Sequence, residues 1–158
     1  MRAMIFNAFG PPDMLHYEDV PDPAPGPSDL LIEVHAVSVN RVLDVDIRAG
    51  RAPHYGVEPP HILGVDPSGV VIDVGSDVQG FAAGDRVSVT MGMPGGGRYG
   101  LECNGGDAQL TIAPAASCVN VRDKIGCADA TVLSRHGPGT YNLLFNMGKL
   151  EAGQTVLI

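Results

Sequence analysis

Between Gly64 and Ile112 the chain carries short β-type runs separated by glycines, and this pattern constrains its fold more than any other feature. Ser68-Gly69-Val70-Val71-Ile72-Asp73-Val74-Gly75, Asp85-Arg86-Val87-Ser88-Val89 and Ala108-Gln109-Leu110-Thr111-Ile112 each have strand length and β-branched content. Gly75, Gly80, Gly84 and a glycine-dense lobe from Gly92 to Gly106 lie between them, where a residue without Cβ turns the chain with least strain. Many short strands with glycine corners predict a mainly β fold built as a small closed barrel.

The remaining segments fit around that unit. Ala3-Met4-Ile5-Phe6 and Leu15-His16-Tyr17-Glu18, either side of Gly10-Pro11-Pro12-Asp13, read as two short strands around a loop. Pro21-Asp22-Pro23-Ala24-Pro25-Gly26-Pro27 is a stiff connector whose prolines cannot donate to a ladder. Leu30 to Val39 has the alternation of a half-buried strand, and Asn40 to Arg48 breaks that period in favour of a short helix ended by Gly50. After Asn120 the spacing of Ala128, Val132, Leu133, Leu143, Leu144 and Met147 predicts two helical pieces, interrupted at Gly137-Pro138-Gly139. Thr155-Val156-Leu157-Ile158, after a Gly153 turn, is an apolar run of the kind that opens a parallel sheet, whose partners require a long crossover. The chain is therefore expected to be the front part of a two-domain protein, divided at 1–125 and 126–158.

Composition narrows the function classes. A formal charge of −8 over 158 residues, without clustered Lys and Arg, argues against a nucleic-acid partner. No apolar stretch approaches the roughly 20 residues of a membrane span, and no signal-peptide core follows Met1, so the expected location is cytoplasmic. Cys103, Cys118 and Cys127 are odd in number and lack C-x-x-C spacing, which predicts reduced, mostly buried thiols.

Pro60-His61-Ile62-Leu63-Gly64-Val65-Asp66-Pro67-Ser68-Gly69-Val70-Val71, then Val74-Gly75, Gly84-Asp85-Arg86-Val87, Gly106-Asp107-Ala108-Gln109 and Leu150 to Ile158 resemble the N-terminal GroES-like domain of the medium-chain dehydrogenase/reductase superfamily. The resemblance covers essentially the whole chain. It implies a GroES-like small β-barrel with a few short helices at 1–125, and at 126–158 a helical connector with the first strand of a Rossmann α/β domain. In that superfamily the next segment is a glycine-rich turn and helix that binds the dinucleotide pyrophosphate through backbone N–H groups and the helix dipole. The cofactor implied is NADPH or NADH, bound mainly by a domain beyond this chain. The lobe Gly92-Met93-Pro94-Gly95-Gly96-Gly97 lacks the strand-before, helix-after context of such a turn and reads as a loop.

The resemblance also bears on metal. Relatives similar to alcohol dehydrogenases hold catalytic zinc through an early Cys and a His in a Gly-His-Glu motif; here those places hold Ser38-Val39-Asn40 and Val65. The four-cysteine structural zinc lobe is reduced to Cys103. No metal is expected, because His54, His61 and Cys103 have no recognised ligand spacing. The branch without zinc resembles quinone oxidoreductases and enoyl reductases, which pass hydride to a quinone or to the β-carbon of an α,β-unsaturated carbonyl, with hydrogen bonds polarising the acceptor oxygen.

Within that resemblance the catalytic candidates are Asn40, Asp44 and Tyr55, and the cofactor-binding candidates are Asn40 and Thr140. Asn40 matches a polar residue that orients nicotinamide or substrate carbonyl, and equally suits a helix cap. Asp44 matches an Asp of the same motif, with one extra residue intervening; read from its surroundings alone, it and Asp46 look like exposed helix charges, since neither has an evident apolar pocket. Tyr55 lies where enoyl reductases place a proton donor, and also suits packing at the barrel mouth. Thr140 matches a residue approaching the nicotinamide amide, or caps a helix after a Pro-Gly break. Arg48 suits either an acidic substrate group or the helix C-terminus.

Two functions follow as expectations. The first is the substrate-side domain of an NAD(P)H-dependent oxidoreductase acting on a small molecule without zinc, inactive alone and homodimeric when full length. The alternative is a free-standing GroES-like binding or assembly module without enzyme activity.

Overall fold

The computed structural model describes residues 1–157. Its core is β-sheet, as the glycine-cornered runs predict. The eight strands are β1 (Arg2–Phe6), β2 (Leu15–Asp19), β3 (Asp29–Ala36), β4 (His61–Ile62), β5 (Ser68–Val74), β6 (Arg86–Val89), β7 (Leu110–Pro114) and β8 (Cys118–Asn120). They form two sheets, a three-stranded one in the order β2-β1-β4 and a five-stranded one in the order β7-β3-β5-β6-β8. The expected closed barrel is not formed, because β7 and β8 remain edges of the larger sheet. A single antiparallel bridge between Ala3 and Ala108 links β1 to the segment leading into β7.

β3 shows why the alternation was readable. Leu30 and Ile32 are fully buried while Glu33 and His35 face out, which is the period-two pattern of a strand with one wet face. Leu30, Ile32, Val71, Val87, Val89, Tyr99, Ala113 and Cys118 pack together on the inner side of the larger sheet. Gly69 is required here: a Cβ at this position would meet the Glu33 carbonyl oxygen of the neighbouring strand at 1.9 Å. A second apolar cluster of Phe6, Leu43, Ile47, Val57, Leu63 and Val65 joins the smaller sheet to the helix α1 (Leu43–Arg48). All three cysteines are free, Cys118 buried and the others half-buried.

The helix α2 (Cys127–Tyr141) docks on the larger sheet. Ser134 and Ser88 hydroxyls are 2.8 Å apart, and the Arg86 guanidinium donates to the Ile125 carbonyl at 2.6 Å. The break expected at Gly137-Pro138-Gly139 does not occur; Pro138 lies inside α2, which loses one backbone hydrogen bond there and continues into a π-helical turn at Asn142–Met147. Val132, Leu133, Tyr141, Leu143 and Met147 on these two elements are exposed. The strand expected at 155–158 is not formed over 155–157, where no strand lies alongside to complete a ladder; Leu157 is 98% exposed. Ile158 lies outside the described residues. Among the described residues no helix is long and apolar enough to cross a membrane.

Candidate functional site

Where β3 ends, the chain turns through Ser38 to Asn40 into α1, and this turn forms one wall of a cleft of about 700 Å³. The segment Gly106–Gln109 also lines it, and Met4, Leu15, Val37 and Leu63 contribute apolar lining. Asp44, Arg48 and Asp107 are the charged groups of its α1 and 106–109 walls.

Each acidic side chain is placed by a different local device. Asp44 sits in the first turn of α1, 7% exposed, with one carboxyl oxygen accepting the Asn40 N–H at 2.6 Å. Its other oxygen is buried and has no hydrogen-bond partner. Burial pushes the Asp44 carboxyl up to about 6 against the pull of the Asn40 N–H, with the Asp66 charge adding to the rise and Arg135 opposing it. Asp44 is therefore not the exposed helix charge its surroundings in sequence suggested, because α1 turns this face toward the sheet; Asp46 is half-buried and paired with Arg51 at 2.6 Å. Asp66 is 1% exposed, and its two oxygens accept the Ser38 N–H at 3.0 Å and the Ser38 hydroxyl at 2.6 Å.

Asp107 is pinned by its backbone, its N–H donating to Leu63 O at 2.9 Å and its carbonyl accepting Met4 N–H at 2.7 Å. Its carboxyl lies over Gly64, whose φ is +97°; a Cβ there would stand 2.7 Å from Asp107 Oδ1. Burial first, then the Asp44 and Asp66 charges, push the Asp107 carboxyl up to about 7. Three carboxylates thus share one electrostatic environment, and Arg135 on α2, whose buried Nε has no partner, acts on Asp44.

The other candidates are placed differently. Asn40 accepts the Leu43 N–H at 3.0 Å on its side-chain oxygen, a capping role at the entry to α1, and is not among the residues lining the cleft. Tyr55 closes a 3₁₀ turn at Pro53–Tyr55, packs against the Phe6 cluster and stacks on His54 with ring centroids 4.3 Å apart. It is not among the side chains lining the cleft. Thr140 is exposed within α2, so its expected role as the cap of a new helix is corrected by the continuity of α2. Arg48 is buried, with its guanidinium donating to the Gly10 carbonyl. Val65 is packed in the core. His61 is buried with Nε2 3.0 Å from Gly100 O, and burial lowers its pKa. No three His, Cys, Asp or Glu side chains among the described residues converge as metal ligands. Asp66 and Asp107 lie inside the family motifs without an assigned role in the sequence; the available signal was an acid within two residues of a glycine in two segments that the fold brings together.

These features define a sheet-based domain with a largely apolar cleft where β3 gives way to α1, and comparison with known proteins places it. Residues 26–123 match the alcohol dehydrogenase GroES-like domain, and the chain belongs to that family, as an N-terminal domain of the medium-chain dehydrogenase/reductase superfamily. A quinone oxidoreductase of Pseudomonas aeruginosa is 30% identical over 156 residues, 99% of this chain and 44% of that protein. The crystal structure of an NAD-dependent alcohol dehydrogenase superposes with a TM-score of 0.86 at 29% identity, covering 97% of this chain and 49% of that one. The Escherichia coli quinone oxidoreductase complexed with NADPH gives a TM-score of 0.76 at 25% identity, over 93% of this chain and 41% of that one. The chain spans about half the length of the relatives it matches.

Proposed function

We propose that this chain is the substrate-side domain of an NAD(P)H-dependent oxidoreductase that reduces a quinone or an α,β-unsaturated carbonyl without zinc. The observation that carries the reading is the cleft, whose largely apolar lining suits a planar unsaturated ligand and includes carboxyls with raised pKa values. A bound reduced nicotinamide supplies the hydride. Asp44 in the cleft and Asn40, which follows the lining residue Val39, orient the ligand oxygen in this reading, and residues 1–125 act as the substrate domain while 126–158 lead toward a cofactor domain. In this reading the nicotinamide dinucleotide is held mainly outside the chain, with Thr140 on the connector facing it. Val65 offers no ligand atom, and both Asp66 oxygens are engaged by Ser38, so the donor set here does not suit zinc. The proposed setting is cytoplasmic, as a homodimer of the full-length protein.

Calorimetric titration of the chain with NADPH is expected to show no saturable binding at micromolar concentration, whereas a protein extended by a Rossmann domain should bind it and oxidise it with a quinone. Tight NADPH binding by the chain alone, or an extended protein that binds NADPH and reduces neither quinones nor enones, would overturn the proposal.

A further inference from the structure

We propose that Asp44 and Asp107, which line the same cleft, share one proton and that Asp107 donates it in a hydrogen bond to the oxygen of an uncharged carbonyl compound bound there. The ligand class rests on the reading above; the shared proton does not.

Three observations meet at this pair. Both side chains line the same apolar cleft. Asp44 is more than nine-tenths buried and has one oxygen without a partner, a cost that protonation or a neighbouring donor removes. Asp107 is held in place by two backbone hydrogen bonds and by contact with Gly64, yet no hydrogen bond joins its carboxyl to a described residue. The third acid, Asp66, has both oxygens engaged by Ser38.

The cations do not balance three carboxylates. Arg135 faces Asp44 from α2, while the Arg48 guanidinium is turned to the Gly10 carbonyl. His35 and Tyr17, the other titratable groups lining the cleft, lie on β3 and β2; His35 pairs with Glu33 at 3.4 Å and Tyr17 lies under Arg2. Partial burial and the neighbouring Asp44 charge both disfavour ionisation of Asp107, so the pair keeps a proton near neutral pH. A protonated carboxyl donates to a carbonyl or quinone oxygen and offers nothing to a carboxylate ligand, which the remaining negative charge repels. The cleft therefore selects uncharged acceptors over acids, with Asp107 as the donor and Asp44 positioning the proton.

The test is a carbon-detected NMR titration of the aspartate carboxyls in the whole chain, with and without 2-methyl-1,4-naphthoquinone. Asp44 and Asp107 signals should move together in two steps above the ordinary carboxyl range, and Asp44→Asn should lower the Asp107 midpoint. Naphthoquinone affinity should fall by about tenfold per pH unit above the upper step, and Asp107→Asn should abolish that dependence; benzoate should not bind. Independent titration of the two carboxyls in the wild-type chain overturns the shared proton even if neither variant folds. Quinone binding that ignores pH overturns the donation while leaving the oxidoreductase reading intact. Coupled titration with no quinone binding at any pH overturns both the ligand class and that reading.

Discussion

Ser38 gives both of its donors to Asp66: its backbone N–H reaches one carboxylate oxygen at 3.0 Å and its hydroxyl reaches the other at 2.6 Å. This two-point clamp fixes the end of β3 where the chain turns toward α1. Because Asp66 is 1% exposed, removing it strands both donors away from water. Asp66→Ala is expected to lower unfolding stability by roughly 2 to 4 kcal/mol. Asp66→Asn keeps an acceptor and should cost less. Urea unfolding curves check both, and a loss below about 1 kcal/mol for the alanine variant would contradict the clamp.

Gly64→Ala tests how Asp107 is held. The substitution introduces a Cβ at φ +97° and only 2.8 Å from the Asp107 backbone nitrogen, which cannot swing aside as a side chain can. A loss of about 2 kcal/mol or more is expected from backbone strain and overlap together. Denaturant melts give the loss, and an Asp107 carboxyl titration unchanged from wild type would show that Gly64 does not position it.

Stability should also depend on pH in a defined direction. Asp44 and Asp107 titrate at about 6 and about 7 when folded, against about 4 for an unfolded aspartate. Between those limits the folded chain binds more protons than the unfolded one. The contribution of these two groups is fully present below about pH 4 and is lost as pH rises through 6 and 7. Thermal melts from pH 5 to pH 8 should fall in midpoint, and Asp107→Asn should flatten the decline. An unaltered slope in that variant would assign the pH dependence to other groups.

Arg48→Met probes the join between α1 and the loop after β1. The Arg48 guanidinium donates to the Gly10 carbonyl, and the Gly10 N–H donates back to the Arg48 carbonyl at 2.9 Å. Methionine preserves the buried stem and removes the charge-assisted bond, so a loss of about 1.5 to 3 kcal/mol is expected. Equal stability of the two proteins would reduce Arg48 to a packing residue.

Much of the fold was legible in the residues. The strands at 29–36, 68–74, 86–89 and 110–114 coincide with runs visible from period-two alternation or β-branched content, and those at 2–6 and 15–19 with runs set off by the turn residues between them. β4 and β8, of two and three residues, were too short to carry a periodic signal, and they exist because a neighbour completes their ladder. The continuity of α2 through Pro138 and the absence of a strand at 155–157 run against local signals for a related reason. A helix docked through Ser134 on Ser88 tolerates one lost backbone bond, and an apolar run is a strand only beside another strand.

The family was legible from motifs spread over the whole chain, from 60–71 through 84–87 and 106–109 to 150–158, and glycine positions such as Gly64 and Gly69 were legible because a positive φ or a backbone contact without room for Cβ is a local demand that residue type answers directly. Which acids matter was decided by tertiary structure alone. Asp44, Asp66 and Asp107 are far apart in sequence, and the raised pKa values of Asp44 and Asp107 depend on burial and on the charge of neighbouring acids, which arise only when α1, the segment at 61–66 and the segment at 106–109 come together.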